Sequence, residues 1–520
     1  MPKLSPLLFT FVALISSINL NVQAKTLNEQ KIDSIMEHFK IPGAAIGIVQ
    51  NGKVVAAQGF GVKTLGNAAP IDGDSIFKIA SNTKAFTSAA LAILVDEGKL
   101  SWDGKVQSYL KDFKLHDPWV SQQFNIIDLL THRSGLGLGA GDLMLWPEPS
   151  SFTRQEVLHN LRYLKPTGEF RADYAYDNLL YIVAGELIPA VTGQSWEQFV
   201  EQRIMQPLGM SHCFAGNVSD SKQQHIATPH GIVNGQLQTI IRTTDPNKPS
   251  VSGPAGGIQC SLNDMLLWVK VQLAQGKINS TKHLFSSEQH KMMWQTQTIM
   301  PLSASSKRRD NSHFSAYALG WRVNDMDGTL QVHHTGSLAG MYSFVSLFPE
   351  LDLGFVVLTN QQSSAARSSL MYTVMKPYLG DNKTDWLREF SPKKSQVNKA
   401  NIVAQQSSIL SQAKVNEAIN QQYLGAYDDP WLGRFIIEAH QDRLQIRALR
   451  IEKFIGDLYE YGKDQLLIRW HDRSLEADAI ISFKRDGEAK VSGMTIAPES
   501  SKIDFSYDFQ DLDFTKVKIQ

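Results

Sequence analysis

Between Ala85 and Val95 the chain carries a helical run that is apolar on nearly every side. A helix without a polar face cannot rest on a surface, so other elements must surround it and it must sit inside a core. Gly98 follows where a left-handed cap would end it. Whatever stands at the start of such a helix is held by the densest part of the fold. There the chain reads Ser81-Asn-Thr-Lys84, behind a short extended run from Ile76 to Ile79.

The elements around that helix can be read from periodicity. Strand-like runs at Ala44 to Val49 and Lys53 to Ala57 flank Asn51-Gly52, the dipeptide that best meets the two positive-φ positions of a tight hairpin. Helical patterns at Asn125 to Leu130, Asn178 to Val191, Ser195 to Ile204 and Ser261 to Gln275 fill the middle of the chain. Past Phe314, four short runs read as an antiparallel meander: Tyr317 to Val323, Leu330 to His334, Ser343 to Phe348 and Gly354 to Leu358. Strands at both ends with helices between them predict an α+β unit, in which the N-terminal hairpin joins the later strands in one sheet. At 520 residues the chain exceeds what one core organises, given about 150 residues per domain. Residues 381–408 are polar and read as a linker. Alternation at Phe435 to Ile437, Leu444 to Ile446, Gln465 to Ile468 and Ala479 to Phe483 then predicts a small all-β domain over 409–520.

The first 24 residues read as a cleavable signal: Lys3, an apolar run from Leu7 to Leu20, then Val22-Gln23-Ala24 at the cleavage positions. A membrane anchor fits less well, because Ser16, Ser17 and Asn19 interrupt a run shorter than the about 20 residues a span needs. The α+β unit then covers 25–380, and a periplasmic or secreted location is expected, with no transmembrane segment in the mature chain. With 51 basic and 51 acidic residues the formal net charge is zero, which gives nucleic acid no electrostatic footing. Cys213 and Cys260 are too few for a disulfide scaffold and suit either one bridge or two small buried hydrophobes. Gly47 to Lys53 superficially fits a phosphate loop, but Val54 stands where a Ser or Thr is needed, and a hairpin is the wrong setting. The sequence holds no His-Glu-x-x-His, Gly-x-Ser-x-Gly or Rossmann glycine pattern, so no metal and no cofactor are expected.

Ser-x-x-Lys also occurs at Ser75, Ser108, Ser219, Ser391 and Ser411, so spacing alone decides nothing. Only Ser81 stands between an extended run and the long apolar helix, which puts Lys84 one turn further on the same face. A serine hydroxyl needs an adjacent base to take its proton as it attacks. A lysine serves only when neutral, and burial in an apolar helix disfavours its charged form. The helix start adds N–H groups where an oxyanion would develop. Without further support, the same residues would be a helix cap beside a wall lysine.

Two more stretches supply that support: Tyr176-Asp177-Asn178, just before a helix, and His334-Thr335-Gly336-Ser337, ending a strand. In this order and at these separations the three resemble the serine β-lactamase and penicillin-binding-protein family, in particular its class C-like branch with D-aminopeptidases and esterases. Leu129 to Leu136, Pro207 to Met210, Pro254 to Gly257 and Tyr317 to Trp321 look similar as well, and the resemblance covers roughly Leu27 to Leu379. It implies a β-lactamase-like antiparallel sheet flanked by a helical subdomain, followed by a lipocalin-like β-domain. It further implies that Lys84 and Tyr176 share the proton of Ser81, and that Asn178 orients Lys84 and holds a substrate carbonyl. The oxyanion would sit between the backbone N–H groups of Ser81 and Ser337, where one lost donor costs about 2.7 to 4 kcal/mol. Thr335 and Gly336 would complete the binding edge. Where the family usually has lysine this chain has His334, expected near half-protonation around pH 6.5. That weakens the case for β-lactams. The expected reaction is hydrolysis of amide or peptide bonds in small or cell-wall-derived substrates; a carboxylesterase and a silent cell-wall peptide-binding protein are the alternatives.

Overall fold

Asn51 and Gly52 take φ of 51° and 68° and turn the chain from strand β1 (Gly43–Gln50) into β2 (Lys53–Gly61), as the Asn-Gly pair predicts. The computed structural model describes residues 27–240, 249–392, 421–441 and 443–518; the signal expected over 1–24 and residues 393–408 of the expected linker lie outside them. Three short strands follow the hairpin in sequence order: β3 (Ile76–Lys78), β4 (Cys213–Phe214) and, after the hairpin β5 (His230–Val233) and β6 (Gln236–Thr239), β7 (Gln259–Ser261). Strands β3, β7 and β4 form a small sheet in that order. Cys213 and Cys260 face one another across it and are disulfide-bonded, which resolves the choice the sequence leaves open.

The later strands are β8 (Thr298–Ile299), β9 (Ser315–Tyr317), β10 (Arg322–Met326), β11 (Thr329–Leu338), β12 (Met341–Phe348) and β13 (Leu353–Thr359). They join the hairpin in one antiparallel sheet ordered β2-β1-β13-β12-β11-β10-β9-β8. Both faces of its centre are covered. Ala45, Val49, Val356 and Leu358 face the helical layer, where they meet Leu262 and Leu266. Ile46, Ile48, Phe355 and Val357 face outward under the helices Glu29–Phe39 and Ser364–Met375. This is why β1 and β13 read as nearly continuous apolar runs.

The expected strand Tyr317 to Val323 is broken. Gly320 has a φ of 81°, and a Cβ there would lie 2.8 Å from the carbonyl oxygen of Lys84. The chain bends at this point to pass the buried helix. Trp386–Phe390, inside the expected linker, forms a short helix with Trp386 buried and its ring 4.9 Å from that of Tyr372.

Beyond residue 421, eight strands from Gly425–Asp429 to Asp513–Val517 close into an antiparallel barrel, the all-β domain the alternation predicts. Closure leaves no sheet edge open. Among the described residues no helix is long and apolar enough to cross a membrane.

Candidate active site

The apolar run forms the helix Thr83–Asp96, in which every residue from Thr83 to Leu94 is buried. Ser81 sits in the tight turn Ala80–Asn82 immediately before it. Ala80 has a φ of 49°, a left-handed conformation that costs a non-glycine residue about 1 to 3 kcal/mol and persists only where surroundings enforce it. They do so here. Ser343 Oγ donates to the carbonyl of Ile79 at 2.6 Å and accepts from Asn82 Nδ2 at 2.7 Å, tying the turn to β12. A Cβ on Gly336 would fall 2.1 Å from the Ile79 oxygen, so only glycine lets β11 come this close.

Lys84 is fully buried and its Nζ has three oxygen neighbours: Asn178 Oδ1 at 2.6 Å, the Ala255 carbonyl at 2.9 Å and Ser81 Oγ at 3.3 Å. The first two are pure acceptors. A neutral amine therefore spends both N–H groups on them and turns its lone pair to the Ser81 hydroxyl, which can donate. Burial favours that neutral form and brings the pKa of Lys84 down to about 7, against the opposing pull of Asp142.

Tyr176 comes to the same point. Burial pushes its phenol above the usual range, while Arg322 and contact with Ser81 pull it back, so the ring keeps its proton at neutral pH. Its backbone carbonyl accepts from Gly139 N–H at 2.8 Å, and its ring lies 4.1 Å from that of His132. His132 is held in turn by the Asp177 N–H, 3.1 Å from Nδ1. A depressed amine and a raised phenol beside one hydroxyl form the divergent pair that acid and base roles require.

Asn178, which precedes the helix Leu179–Thr192, donates from Nδ2 to Asp142 Oδ2 at 2.7 Å. That bond fixes which end of the amide faces Lys84. Asp142 carries no sequence signal beyond its place in a glycine-rich loop, and the sequence reading misses it.

The third motif divides by strand alternation. Thr335 and Ser337 line a cavity of about 660 Å³ together with Ser81, Tyr176 and Asn178. His334 turns inward and is fully buried. Its Nδ1 lies 2.7 Å from the Thr335 carbonyl and must carry the proton, which leaves Nε2 to accept from the Tyr317 hydroxyl at 2.9 Å. Burial, then Arg322 and Lys84, hold its pKa well below the usual histidine range. The expectation of a half-protonated His334 touching substrate is therefore corrected: the ring is neutral and does not line the cavity. Arg322 does line it, beside Thr335 and Tyr176, and the sequence reading also misses it although it directly follows the singled-out Tyr317 to Trp321.

The barrel closes the far side. Phe505 packs edge-on against Tyr176 with centroids 5.8 Å apart. Asp508 accepts from the backbone N–H groups of Gly141 at 2.5 Å and Leu143 at 3.2 Å, flanking Asp142. Among the described residues, no group of three or more His, Cys, Asp or Glu is placed to hold a metal.

A family model described as Beta-lactamase matches residues 28–377. The chain belongs to the beta-lactamase family. A second model, for a domain of unknown function (DUF3471), matches residues 411–516 and so covers the barrel of this beta-lactamase-family chain. Among curated relatives, "Unguisins hydrolase ungD'" of Aspergillus campestris is 28% identical over 71% of this chain and 68% of its own length. "Protein flp" of Staphylococcus aureus is 30% identical over 65% of this chain and 64% of its own. Among solved structures, the octameric penicillin-binding protein homologue from Pyrococcus abyssi aligns over 94% of this chain and all of its own, with a TM-score of 0.60 at 22% identity. A class C beta-lactamase from Rhodobacter sphaeroides aligns over 68% of this chain and 99% of its own, with a TM-score of 0.55 at 20% identity. These two likenesses concern the fold.

Proposed function

We propose that the chain is an exported serine hydrolase that works through an acyl-enzyme on Ser81. The observation that carries this reading is the Lys84 amine, with two of its neighbours pure acceptors and the third the Ser81 hydroxyl. Ser81 Oγ attacks the substrate carbonyl carbon as its proton passes to Lys84 Nζ. The oxyanion forms between the N–H groups of Ser81 and Ser337. Collapse breaks the bond to the leaving group, which takes the Tyr176 proton, and Lys84 restores that proton to Tyr176. Water then enters by the reverse sequence, and the acid product departs.

The substrates are amide or peptide bonds of small or cell-wall-derived molecules; a relative named as a hydrolase supports a hydrolytic reaction. Carboxyl ester hydrolysis by the same residues is the second reading, favoured by a third motif whose histidine is neutral and buried. Export rests on the signal read in residues 1–24.

Intact-mass measurement after treatment with a fluorophosphonate tests the chemistry. One adduct on the wild type and none on Ser81→Ala is expected. No adduct on the wild type would indicate a silent binding protein instead.

A further inference from the structure

The chemistry at Ser81 makes no use of the stretch Leu129 to Leu136, yet at its centre His132 is fully buried with a φ of 55°. A non-glycine residue keeps that left-handed conformation only where its surroundings enforce it. Here it lets one residue meet the chain before the second helix twice. The His132 backbone carbonyl accepts from the Ala175 N–H at 2.9 Å, and its Nδ1 accepts from the Asp177 N–H at 3.1 Å. Ala175 and Asp177 are the two chain neighbours of Tyr176, so both flanks of the phenol hang on His132. The imidazole also packs against the Tyr176 ring, with 4.1 Å between centres and 36° between planes. Tyr317 at 4.4 Å and Tyr181 at 5.6 Å back it. The segment is tied down in turn: the Arg171 N–H donates to the Arg133 carbonyl at 2.8 Å, and Arg133 and Arg171 both donate to the buried Asp128.

An N–H that points at Nδ1 requires a lone pair there, so the imidazole is neutral and carries its proton on Nε2. Burial, then Lys84 and Arg322, hold its pKa well below the usual histidine range, and the acceptor persists at neutral pH. A phenol can pass its proton only while its oxygen stays within about 2.6 to 3.2 Å of the target. At the end of a side chain with two torsions, that reach demands a fixed backbone and a fixed ring. His132 supplies both, the first through its two hydrogen bonds and the second through its ring. From this double grip on the residues around Tyr176 we infer that His132 is a positioning residue for Tyr176, acting on the reaction through the reach of that phenol to the leaving group. The inference rests on the hydrolase reading and adds to it a residue that does not line the cavity.

The test uses the full-length enzyme and one acyl group on two alcohols: 4-nitrophenol, which departs without a proton, and ethanol, which must receive one. His132→Ala should lower kcat/KM for the ethyl ester by about 100-fold, the lower end of what a placed general acid contributes, and for the nitrophenyl ester only several-fold. His132→Asn keeps an acceptor near the Nδ1 position and tolerates the left-handed backbone, so it should recover most of the ethyl ester rate. His132→Gln carries its polar atoms further out, near the Nε2 position, and should not; it takes the place of the alanine variant if that one fails to fold. In a Tyr176→Phe background, where the phenol is already gone, His132→Ala should cost less than about threefold on either ester. A residue that merely fills the core would lower both esters and the melting temperature together. Equal losses on the two esters, no advantage of His132→Asn over His132→Gln, or additive losses with Tyr176→Phe would each overturn the inference. Fluorophosphonate labelling of the same samples separates the two ideas. Label on wild-type Ser81 with equal losses on both esters sinks only this inference; no label on the wild type sinks the hydrolase reading.

Discussion

The floor and the roof of the cavity are built by different rules. The floor is a buried helix, a strained turn and a strand end, in which the groups around Ser81 form a linked chain: Lys84 is held by Asn178, Asn178 by Asp142, and the turn by Ser343. The roof is a loop of a separate barrel that reaches the site through Phe505 and is fastened by Asp508 and by a Ser506 side-chain hydrogen bond to Asp142. The floor fixes atoms to within the tolerance that proton transfer demands. The roof needs only to shape access, and shape tolerates substitution better than a shared proton does.

The largest effects should come from the floor. Ser81→Ala and Lys84→Ala are each expected to lower kcat by about 10⁴-fold or more, and the double variant by little beyond either, because the two act as one unit. Additive losses, read by steady-state kinetics, would separate them. Tyr176→Phe removes the proton donor but leaves nucleophile and base, so a loss of about 10² to 10⁴-fold is expected, larger for poor leaving groups than for nitrophenolate.

The roof should respond more mildly. Asp508→Ala leaves two N–H groups of the Gly141 to Leu143 loop without their acceptor, at about 1 to 3 kcal/mol. A lower melting temperature and a raised KM are expected, with Ser81 still labelled. If that variant instead lost all labelling, the barrel would be part of the catalytic floor and the contrast would fail. Phe505→Ala should have the smallest effect, a several-fold change in preference among acyl chain lengths at unaltered melting temperature.

The contrast also explains what the sequence made legible. Ser81, Lys84, Tyr176 and Asn178 could be found because the turn before an apolar helix and the start of a second helix leave local spacing signals. Arg322, Asp142 and Asp508 leave none, since each gains its neighbours only when distant segments meet. His334 was misjudged for a different reason: both faces of this sheet are covered, so alternation alone does not say which residue of His333-His334 turns toward the core. The hairpin and the buried helix were plain in the sequence, whereas the break at Gly320 depends on a close approach to Lys84 that no propensity encodes.

The most direct test of the central claim is the pH dependence of Ser81 acylation, measured in single turnover with an activated ester whose own ionisation does not change. Lys84 accepts the serine proton only when neutral, and its pKa is held down to about 7. The rate should therefore rise about tenfold per pH unit below 7 and level off above it. Because Arg322 helps to lower that pKa, Arg322→Gln should move the bend to higher pH. A wild-type rate that kept climbing to pH 9.5 or beyond would mean that Lys84 stays charged at rest, and the account of Ser81 activation would be wrong.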